Sequence, residues 1–590
     1  MKHGTDSPDT SERFLTFASG FILFAWSAYA LAAAGIFSHG SVAVMAVLAI
    51  AGIAVTLFRF LSSESRVGKT IFALVILYAV FLLSGTTPTI FSGRDHGSIA
   101  EAAIELSRNG TLSFSTPSSD TFFAIYGPGK ALNFPGFYYS ADGKLLSQFP
   151  VSYSAWLAAF HSLFGLHGIV AGNGILLTLS LLTLFVLVRE LSDEQAAIGA
   201  TIIATASFLP SWFAKFTLTE NLALFLYLFL ALSIINFLRK PSRFTFLAAV
   251  FSATLLSVTR IEGPVFLAIT FGILFVSNSG RHFFTASSPL LRTAPIICSI
   301  ALVFLDIIIN TSRYISVAKA LFQGSTTPLP NDVLDFTGSL SVPVELWNLF
   351  LPYGILVLFL FGIIGIVILL IRKDWVRLLP VLLALPTFLY LVNPNISADH
   401  PWMLRRFLFS VWPALLITAV TGSSALLRSR ANAIAANRTI LMVSIVIALT
   451  CLPPTWSAFR FSENSRLVNA TDLLAEYVGN GDLVLIDRNA TGDPYAIPAG
   501  PLRFLNGRNA AYFFNQDDFA RIPKGDYDHI YLLVQTKDIG RYSALNLSDP
   551  PIAGFRFERD RIGPLPLGDP RFPDKESKST DAVLITLDTL

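Results

Sequence analysis

Asp95 and His96 directly follow the third long apolar run of the chain. The apolar spacing after them predicts an amphipathic helix that carries Glu101 and Glu105. A carboxylate at this position could accept a proton from a sugar or protein hydroxyl while that hydroxyl attacks a lipid-borne substrate at the bilayer surface. A structural alternative is that Asp95 only caps a helix that begins near Ser98.

Two turns between later apolar runs also carry charge. The segment KFTLTEN contains Lys215 and Glu220, and the segment TRIEGP contains Arg260 and Glu262. Ionisable residues at the ends of membrane spans are candidates for function because their burial in the bilayer is unfavourable. A solvated turn would explain the first pair as well, and Arg260 and Glu262 could simply pair with each other.

A fourth charged segment, ISADHPWMLRRFLFSVWP, places Arg405 and Arg406 at the start of an apolar run. Guanidinium groups bind phosphate oxygens through two parallel hydrogen bonds and stay charged when partly desolvated. The two arginines are therefore expected to bind the phosphate of a lipid carrier, with His400 as a local neighbour. The alternatives are that the arginines extend towards anionic headgroups and that His400, next to Pro401, is structural.

The composition indicates a membrane protein. The 590 residues are 53% hydrophobic and only 14% charged, and the mean hydropathy is +0.61, whereas a soluble domain carries about a quarter charged residues. A net charge of +3 is close to neutral for this length and argues against nucleic acid as a partner. The two cysteines, Cys298 and Cys451, are too few for a disulfide framework.

Apolar runs of ~16 to 25 residues, the length that spans a bilayer, recur from Phe14 to Leu452. They predict a polytopic α-helical protein with about thirteen transmembrane helices. The predicted spans are 14–36, 41–61, 69–91, 170–188, 196–213, 221–238, 244–258, 264–279, 293–310, 348–371, 378–393, 407–426 and 439–455. With a cytoplasmic N-terminus, the loops richest in Lys and Arg all lie inside, as the positive-inside rule requires. An odd number of spans then places the C-terminus outside.

The polar residues 1–13 are predicted to form a cytoplasmic tail, and residues 14–455 the membrane domain. The segment 152–167 is also apolar. If it crossed the membrane, however, the basic loop from Arg239 to Arg243 would lie outside. We therefore interpret this segment as an interfacial or re-entrant helix.

Two outer loops, 92–151 and 311–347, are too long to be simple connections and are expected to be functional. Residues 456–590 have an ordinary mixed composition and predict a small α/β domain outside the membrane. Its predicted elements are a helix at 471–479 and buried strands at 482–488, 529–538 and 581–588. No glycine-rich phosphate loop or zinc-ligand spacing occurs in this domain.

Over roughly residues 70–425, the chain resembles the GT-C superfamily of integral membrane glycosyltransferases, in particular the protein mannosyltransferase and aminoarabinose transferase type. The similar segments are GRDHGSIAEAAIEL, GKLLSQFPVSYSAWLAAFHSLFG, TLTENLALFLYLFLAL, SVTRIEGPVFLAI and LRRFLFSVWPALLI. Their order and topology match the family, as does a soluble outer domain at the C-terminus. Two helices more than usual precede the acidic loop.

The resemblance implies a role for each candidate residue. Asp95 would be the general base or would position the acceptor, and Arg405 and Arg406 would bind the carrier phosphate. The other residues expected to contribute to substrate binding are His96, Glu101, Lys215, Glu220, Arg260, Glu262 and His400. The acidic motif is Asp-His and not a pair of carboxylates, so no cofactor is expected and dependence on a divalent metal stays open.

The implied reaction is the transfer of a hexose or pentose from a polyprenyl-phosphate donor to a glycan, lipid or protein acceptor outside the cytoplasm. The expected location is the plasma (inner) membrane, where the enzyme would glycosylate a component of the cell envelope. The alternative from another class is a transporter or flippase of a lipid-linked sugar, which would bind similar molecules without breaking a bond.

Overall fold

The computed structural model describes residues 8–309, 344–392, 399–430, 432–548 and 550–587. Its helices in chain order are α1 Pro8–Ala33, α2 His39–Ser63, α3 Arg66–Leu83, α4 Asp95–Asn109, α5 Pro117–Tyr126, α6 Val151–Leu191, α7 Glu194–Ala206, α8 Phe208–Phe213, α9 Thr219–Arg239, α10 Arg243–Ser257, α11 Gly263–Val276, α12 Asn278–Ala286, α13 Pro289–Ile309, α14 Val344–Phe350, α15 Ile355–Ile371, α16 Trp375–Ala384, α17 Leu389–Val392, α18 Arg405–Leu408, α19 Val411–Arg428, α20 Ala433–Ala458, α21 Leu467–Glu476 and α22 Ala499–Phe504. Its strands are β1 Ser113–Phe114, β2 Gly129–Lys130, β3 Phe137–Tyr139, β4 Leu145–Ser147, β5 Asp399–His400, β6 Leu483–Ile486, β7 Asn509–Tyr512, β8 Ile530–Gln535, β9 Ala553–Ile562, β10 Leu565–Pro566 and β11 Lys575–Thr586.

The chain is a multi-pass membrane protein. Nine helices in the described ranges are long and apolar enough to cross a membrane, and α11 with α12, bent by 78°, would form a tenth span. The predicted number of thirteen is not confirmed, because several apolar runs form short or broken helices. The run 196–213, for example, is divided at Ser207, where extended backbone (ψ 139°) separates α7 from α8.

The apolar segment before the fourth predicted span folds back on that span. The helix α6 is broken at Gly165, whose backbone (φ 59°, ψ −146°) only glycine adopts readily. Across the break, the Trp156 indole donates a hydrogen bond of 3.3 Å to the carbonyl of Gly172. The segment 152–167 is therefore not a straight extension of the span that follows it.

Both ends of this first half of α6 contact turns that are predicted to lie outside the membrane. The Ser152 hydroxyl donates a hydrogen bond of 2.9 Å to the carbonyl of Val258, in the turn after α10. The Ser162 carbonyl lies 2.9 Å from Nδ1 of His39, which follows the connection between α1 and α2. The segment 152–167 therefore packs against both of these turns, and its interfacial or re-entrant position stays a prediction.

The loop 92–151 is folded and contains α4, α5 and an antiparallel sheet with the order β1-β4-β3-β2. The C-terminal domain contains a five-stranded sheet with the order β7-β6-β8-β11-β9. The strands β7, β6 and β8 are parallel, whereas β11 is antiparallel to β8 and β9. The strands predicted at 482–488, 529–538 and 581–588 correspond to β6, β8 and part of β11, and the helix at 471–479 to α21, so the predicted sheet domain is confirmed.

The first outer loop and the C-terminal domain are joined by backbone hydrogen bonds. The Ile497 amide donates to the carbonyl of Ser92 over 2.9 Å, and the Tyr512 amide donates to the carbonyl of Asn133 over 3.0 Å. The two parts therefore form one packed unit above the membrane helices. The second predicted outer loop, 311–347, lies outside the described residues apart from the start of α14.

Replacing Gly165 with alanine is expected to destabilise the protein by about 1–3 kcal/mol, because a Cβ disfavours this backbone conformation. The measurement is the thermal unfolding midpoint of the purified chain in detergent. Gly272 is the control, since it lies inside α11 and an added Cβ there would meet nothing within 4 Å. The variant Gly272→Ala should match or exceed the wild-type midpoint, and equal midpoints for both variants would contradict the role of Gly165.

Candidate active site

Four elements that are far apart in sequence bring the predicted charged residues together. Asp95 is the first residue of α4, and Arg405 is the first residue of α18. Glu220 lies in the first turn of α9, while Arg260 and Glu262 lie in the turn between α10 and α11. Each residue therefore sits at an end of a helix, where a side chain can leave the apolar interior.

These five residues form a continuous series of ion pairs, referred to below as the charge chain. Nη2 of Arg405 lies 2.5 Å from Oδ2 of Asp95, and Nε of Arg405 lies 3.6 Å from Oε1 of Glu220. The same Glu220 oxygen lies 2.8 Å from Nη1 of Arg260. Nη2 of Arg260 lies 2.9 Å from Oε1 of Glu262. Two arginines are thus held among three carboxylates.

Most of the charge chain is buried, and Asp95 is its open end. The exposed fraction of the side chain is 6% for Arg405, 3% for Glu220 and 7% for Arg260, but 36% for Asp95. Charges with so little contact to water need an opposite charge beside them. Glu220 is therefore not part of a solvated turn. Nor does Asp95 cap a helix, because its side chain pairs with Arg405 and Arg94 occupies the capping position of α4.

The other end of the charge chain contacts a tyrosine and the second predicted arginine. The Tyr390 hydroxyl donates a hydrogen bond to Glu262, and the Arg406 guanidinium lies 5.6 Å from the centre of the Tyr390 ring. Burial alone would raise the pKa of Glu262, but the adjacent Arg260 lowers that pKa to about 2. Arg406 has no hydrogen-bond acceptor among the described residues, so its guanidinium can still bind an anion.

A stack of cations and aromatic rings beside the charge chain was not found from the sequence. The Arg94 guanidinium lies 3.8 Å from the ring centre of Tyr495 and 4.8 Å from that of Trp402, and it pairs with Asp399. The Arg405 guanidinium lies 4.4 Å from the Trp402 ring centre. The only sequence feature that could have identified Arg94 and Trp402 is that they lie close in sequence to predicted site residues. Tyr495 belongs to the C-terminal domain, and no local sequence feature predicts that it contacts Arg94.

His96 lies next to this stack and is buried. Its ring centre is 5.3 Å from that of Phe216 and 5.1 Å from that of Trp402. Burial, together with the nearby Arg94 and Arg405, lowers the pKa of His96 to about 3. The imidazole is therefore neutral at neutral pH and packs against the aromatic rings of the site.

Three other predicted site residues are engaged elsewhere. Glu101 accepts a hydrogen bond of 2.6 Å from the Ser92 hydroxyl, and burial raises the pKa of Glu101 to about 8. The Lys215 ammonium donates to backbone carbonyls at the C-terminal end of α20 over 2.6 to 2.8 Å. Nδ1 of His400 lies 2.8 Å from the Tyr353 hydroxyl. The structure therefore does not bring these three residues into the charge chain, and their roles in substrate binding stay predictions.

An open cleft with a cavity volume of about 330 Å³ lies beside Asp95, between the first outer loop and the C-terminal domain. Lys130, Gln148, Arg488 and Tyr512 line this cleft. Asp95 is the member of the charge chain that reaches it. Within the described ranges, no group of three or more His, Cys, Asp or Glu side chains is placed to hold a metal ion.

No protein-family model and no curated protein matches the chain. The chain is similar to the solved structure of ArnT from Cupriavidus metallidurans in the apo state, with a TM-score of 0.49, 12% identity and coverage of 88% of this chain and 97% of that chain. The same ArnT bound to undecaprenyl phosphate gives a TM-score of 0.49, 12% identity and coverage of 88% and 98%. The apo form of the oligosaccharyltransferase of Archaeoglobus fulgidus gives a TM-score of 0.49 and 12% identity, with coverage of 80% of this chain and 70% of that chain.

Likeness at 12% identity is too distant to assign a substrate. The function is therefore inferred from the side chains of the chain itself.

Replacing Glu220 with glutamine is expected to destabilise the protein by about 3–5 kcal/mol, because Arg260 and Arg405 would lose the carboxylate between them. The matched control is Glu558→Gln, which breaks an exposed pair with Arg466 and should change stability by less than about 1 kcal/mol. Thermal unfolding of both variants in detergent measures the difference. A midpoint for Glu220→Gln within error of the control would show that the charge chain does not stabilise the fold.

Proposed function

We propose that the chain is a GT-C type glycosyltransferase that moves a sugar from a polyprenyl-phosphate donor to an acceptor on the outer face of the membrane. The observation that carries this proposal is the position of Asp95. Its carboxylate is held by the buried Arg405, faces an open cleft and lies at the level where membrane helices end. A lipid carrier holds its phosphate at the same level, since the polyprenyl chain stays in the bilayer and the charge stays at the surface.

In the proposed reaction, the acceptor hydroxyl attacks C1 of the donor sugar in a single displacement. The bond between C1 and the phosphate oxygen breaks, and its electron pair leaves with the polyprenyl phosphate. The hydroxyl proton passes to the carboxylate of Asp95. Arg405 binds Oδ2 of Asp95 and leaves Oδ1 without a hydrogen-bond donor among the described residues, so one oxygen orients the base while the other can accept the proton.

The leaving phosphate is proposed to bind at the two arginines of α18. Guanidinium groups placed where negative charge develops lower the barrier of the reaction. Arg406 is half-buried and has no hydrogen-bond acceptor within the described residues. The Nη1 atom of Arg405 is also without a partner in the described part of the chain, although Arg405 is already paired with Asp95. Arg406 therefore provides the main contact to the phosphate, and Arg405 orients the base.

The placement of charge favours an enzyme over a transporter. Transporters bind their substrates near the middle of the bilayer, at interrupted helices. The charge chain instead lies at helix ends, next to the folded outer loop and the C-terminal domain. In this proposal both of these parts lie outside the cytoplasm, and the N-terminus lies inside, as the distribution of Lys and Arg predicts.

Replacing Asp95 with asparagine should reduce sugar transfer by about 10²- to 10⁴-fold, because the amide cannot take up the acceptor proton. The assay measures transfer and release of lipid phosphate from a panel of synthetic polyprenyl-phosphate sugars by the purified full chain. Asp142→Asn is the control, since Asp142 lies on the same outer loop and its side chain is 64% exposed. Binding of these donors without release of lipid phosphate by the wild type would overturn the proposal and favour a transporter.

Replacing Arg406 with glutamine should lower kcat on the order of 10²-fold, because one positive charge is lost where phosphate leaves. The pH dependence of the remaining activity should stay that of the wild type, since Asp95 is intact. The control is Arg460→Gln, because the Arg460 guanidinium also lies against an aromatic ring, Phe81, but away from the charge chain. Equal loss of activity in both arginine variants would contradict a specific role for Arg406.

A further inference from the structure

The open cleft beside Asp95 has walls from two parts of the chain. The first outer loop contributes Lys130 and Gln148, and the C-terminal domain contributes Arg488 and Tyr512. With a cavity volume of about 330 Å³, the cleft is large enough for a single sugar unit. A molecule bound there would contact Asp95 and the C-terminal domain at the same time.

Backbone hydrogen bonds hold the two walls at a fixed distance. The Ile497 amide donates to the carbonyl of Ser92 over 2.9 Å. Asn133 and Tyr512 are joined by two hydrogen bonds. The Tyr512 backbone amide donates to the Asn133 carbonyl over 3.0 Å, and the Asn133 side-chain amide donates to the Tyr512 carbonyl over 2.7 Å. The cleft is therefore preformed, and a ligand would bind without having to order its walls.

The position of the cleft on the C-terminal sheet is one where ligands commonly bind. Arg488 follows the central parallel strand β6, and Tyr512 is the last residue of β7. In open α/β sheets, ligands bind in the crevice at the carboxyl ends of parallel strands. This edge of the sheet supplies four of the fourteen residues that line the cleft, and the first outer loop supplies the other ten.

The charges that line the cleft leave an excess of positive charge. Arg94 is paired with Asp399, and Asp95 is paired with Arg405. Lys130 and Arg488 are exposed and have no ion-pair partner in the described part of the chain. An arginine and a lysine facing one space are suited to a phosphate group, which the guanidinium can bind through two hydrogen bonds and the ammonium as a point charge. Among the described residues that line the cleft, Asp95 is the only carboxylate, so no other negative charge would oppose such a ligand.

We infer that the acceptor is a phosphorylated sugar, whose phosphate binds Lys130 and Arg488 and whose hydroxyl reaches Asp95. This inference rests on the proposed glycosyltransferase function and adds the chemical class of the acceptor. It also gives the C-terminal domain a direct role, because Arg488 belongs to that domain. The phosphate can belong to a lipid-borne sugar or to a free sugar, and both present the same group to the cleft.

The first experiment measures binding and does not depend on turnover. The full chain in phosphatidylcholine nanodiscs is titrated with glucose 6-phosphate and, separately, with methyl glucoside. The sugar phosphate should bind at least about tenfold more tightly, and the double variant Lys130→Ala with Arg488→Ala should lose this preference. The control is the double variant Lys144→Ala with Arg556→Ala, since both residues are exposed and lie outside the cleft. Equal affinities for the two sugars, or an unchanged preference in the cleft variant, would overturn the inference.

The second experiment measures transfer and separates this inference from the proposed function. With a donor that the wild type cleaves, the cleft variant should keep its slow release of lipid phosphate without acceptor but show a KM for phosphorylated acceptors raised at least about tenfold. Equal transfer rates with phosphorylated and neutral acceptors would contradict the inference but would leave the proposed glycosyltransferase function supported. If the wild type cleaves none of the donors, the proposed function is contradicted, whereas the binding experiment still tests the preference for a sugar phosphate.

A third arm identifies the source of the phosphate. Nanodiscs that contain phosphatidic acid are compared with phosphatidylcholine nanodiscs for their effect on glucose 6-phosphate binding. Competition by the anionic lipid in the wild type, but not in the cleft variant, would support a lipid-borne acceptor. Binding that is insensitive to the lipid would support a free phosphorylated sugar.

Discussion

The buried guanidinium of Arg405, held between the carboxylates of Asp95 and Glu220, is the interaction on which the rest of the site depends. A positive charge with a side-chain exposure of 6% is stable only beside negative groups. Arg405 therefore fixes three separate elements against one another, namely α4 of the outer loop, α9 of the membrane domain and α18. Arg260 extends the same constraint to the turn after α10. The geometry of Asp95 thus follows from the packing of the whole end of the helix bundle at which these elements meet.

The C-terminal domain is part of this arrangement and not an independent appendage. Tyr495 of that domain packs on the Arg94 guanidinium, directly before Asp95 in the chain. Gly500 lies so close to the carboxylate of Glu101 on α4 that a Cβ would not fit there. Such contacts make the position of α4, and hence of Asp95, depend on the folding of both the loop and the domain. They also explain how one cleft can have walls from segments several hundred residues apart.

Some features were missed because their physical causes are not local. The run 196–213 is apolar throughout, but its helix stops at Ser207, where extended backbone lets α8 turn away. The strand β7, with the sequence NAAY, carries no alternating pattern of its own and is stabilised by pairing with β6 in the sheet. Tyr495 contacts Arg94 only because the C-terminal domain packs against the first outer loop. Lys215, which the sequence grouped with Glu220, instead caps the end of α20.

The sequence by itself determined the membrane class, the C-terminal sheet domain and the charged residues that form the charge chain. It could do so because apolar length, the distribution of Lys and Arg, and ionisable residues at span ends are local properties with strong energetic consequences. The tertiary structure decided which charges pair. In the sequence Arg405 and Arg406 look equivalent, yet one is enclosed by Asp95 and Glu220 whereas the other lies over Tyr390 and has no acceptor among the described residues. Burial and partner geometry arise only when distant helices pack, and so no local pattern could distinguish the two arginines.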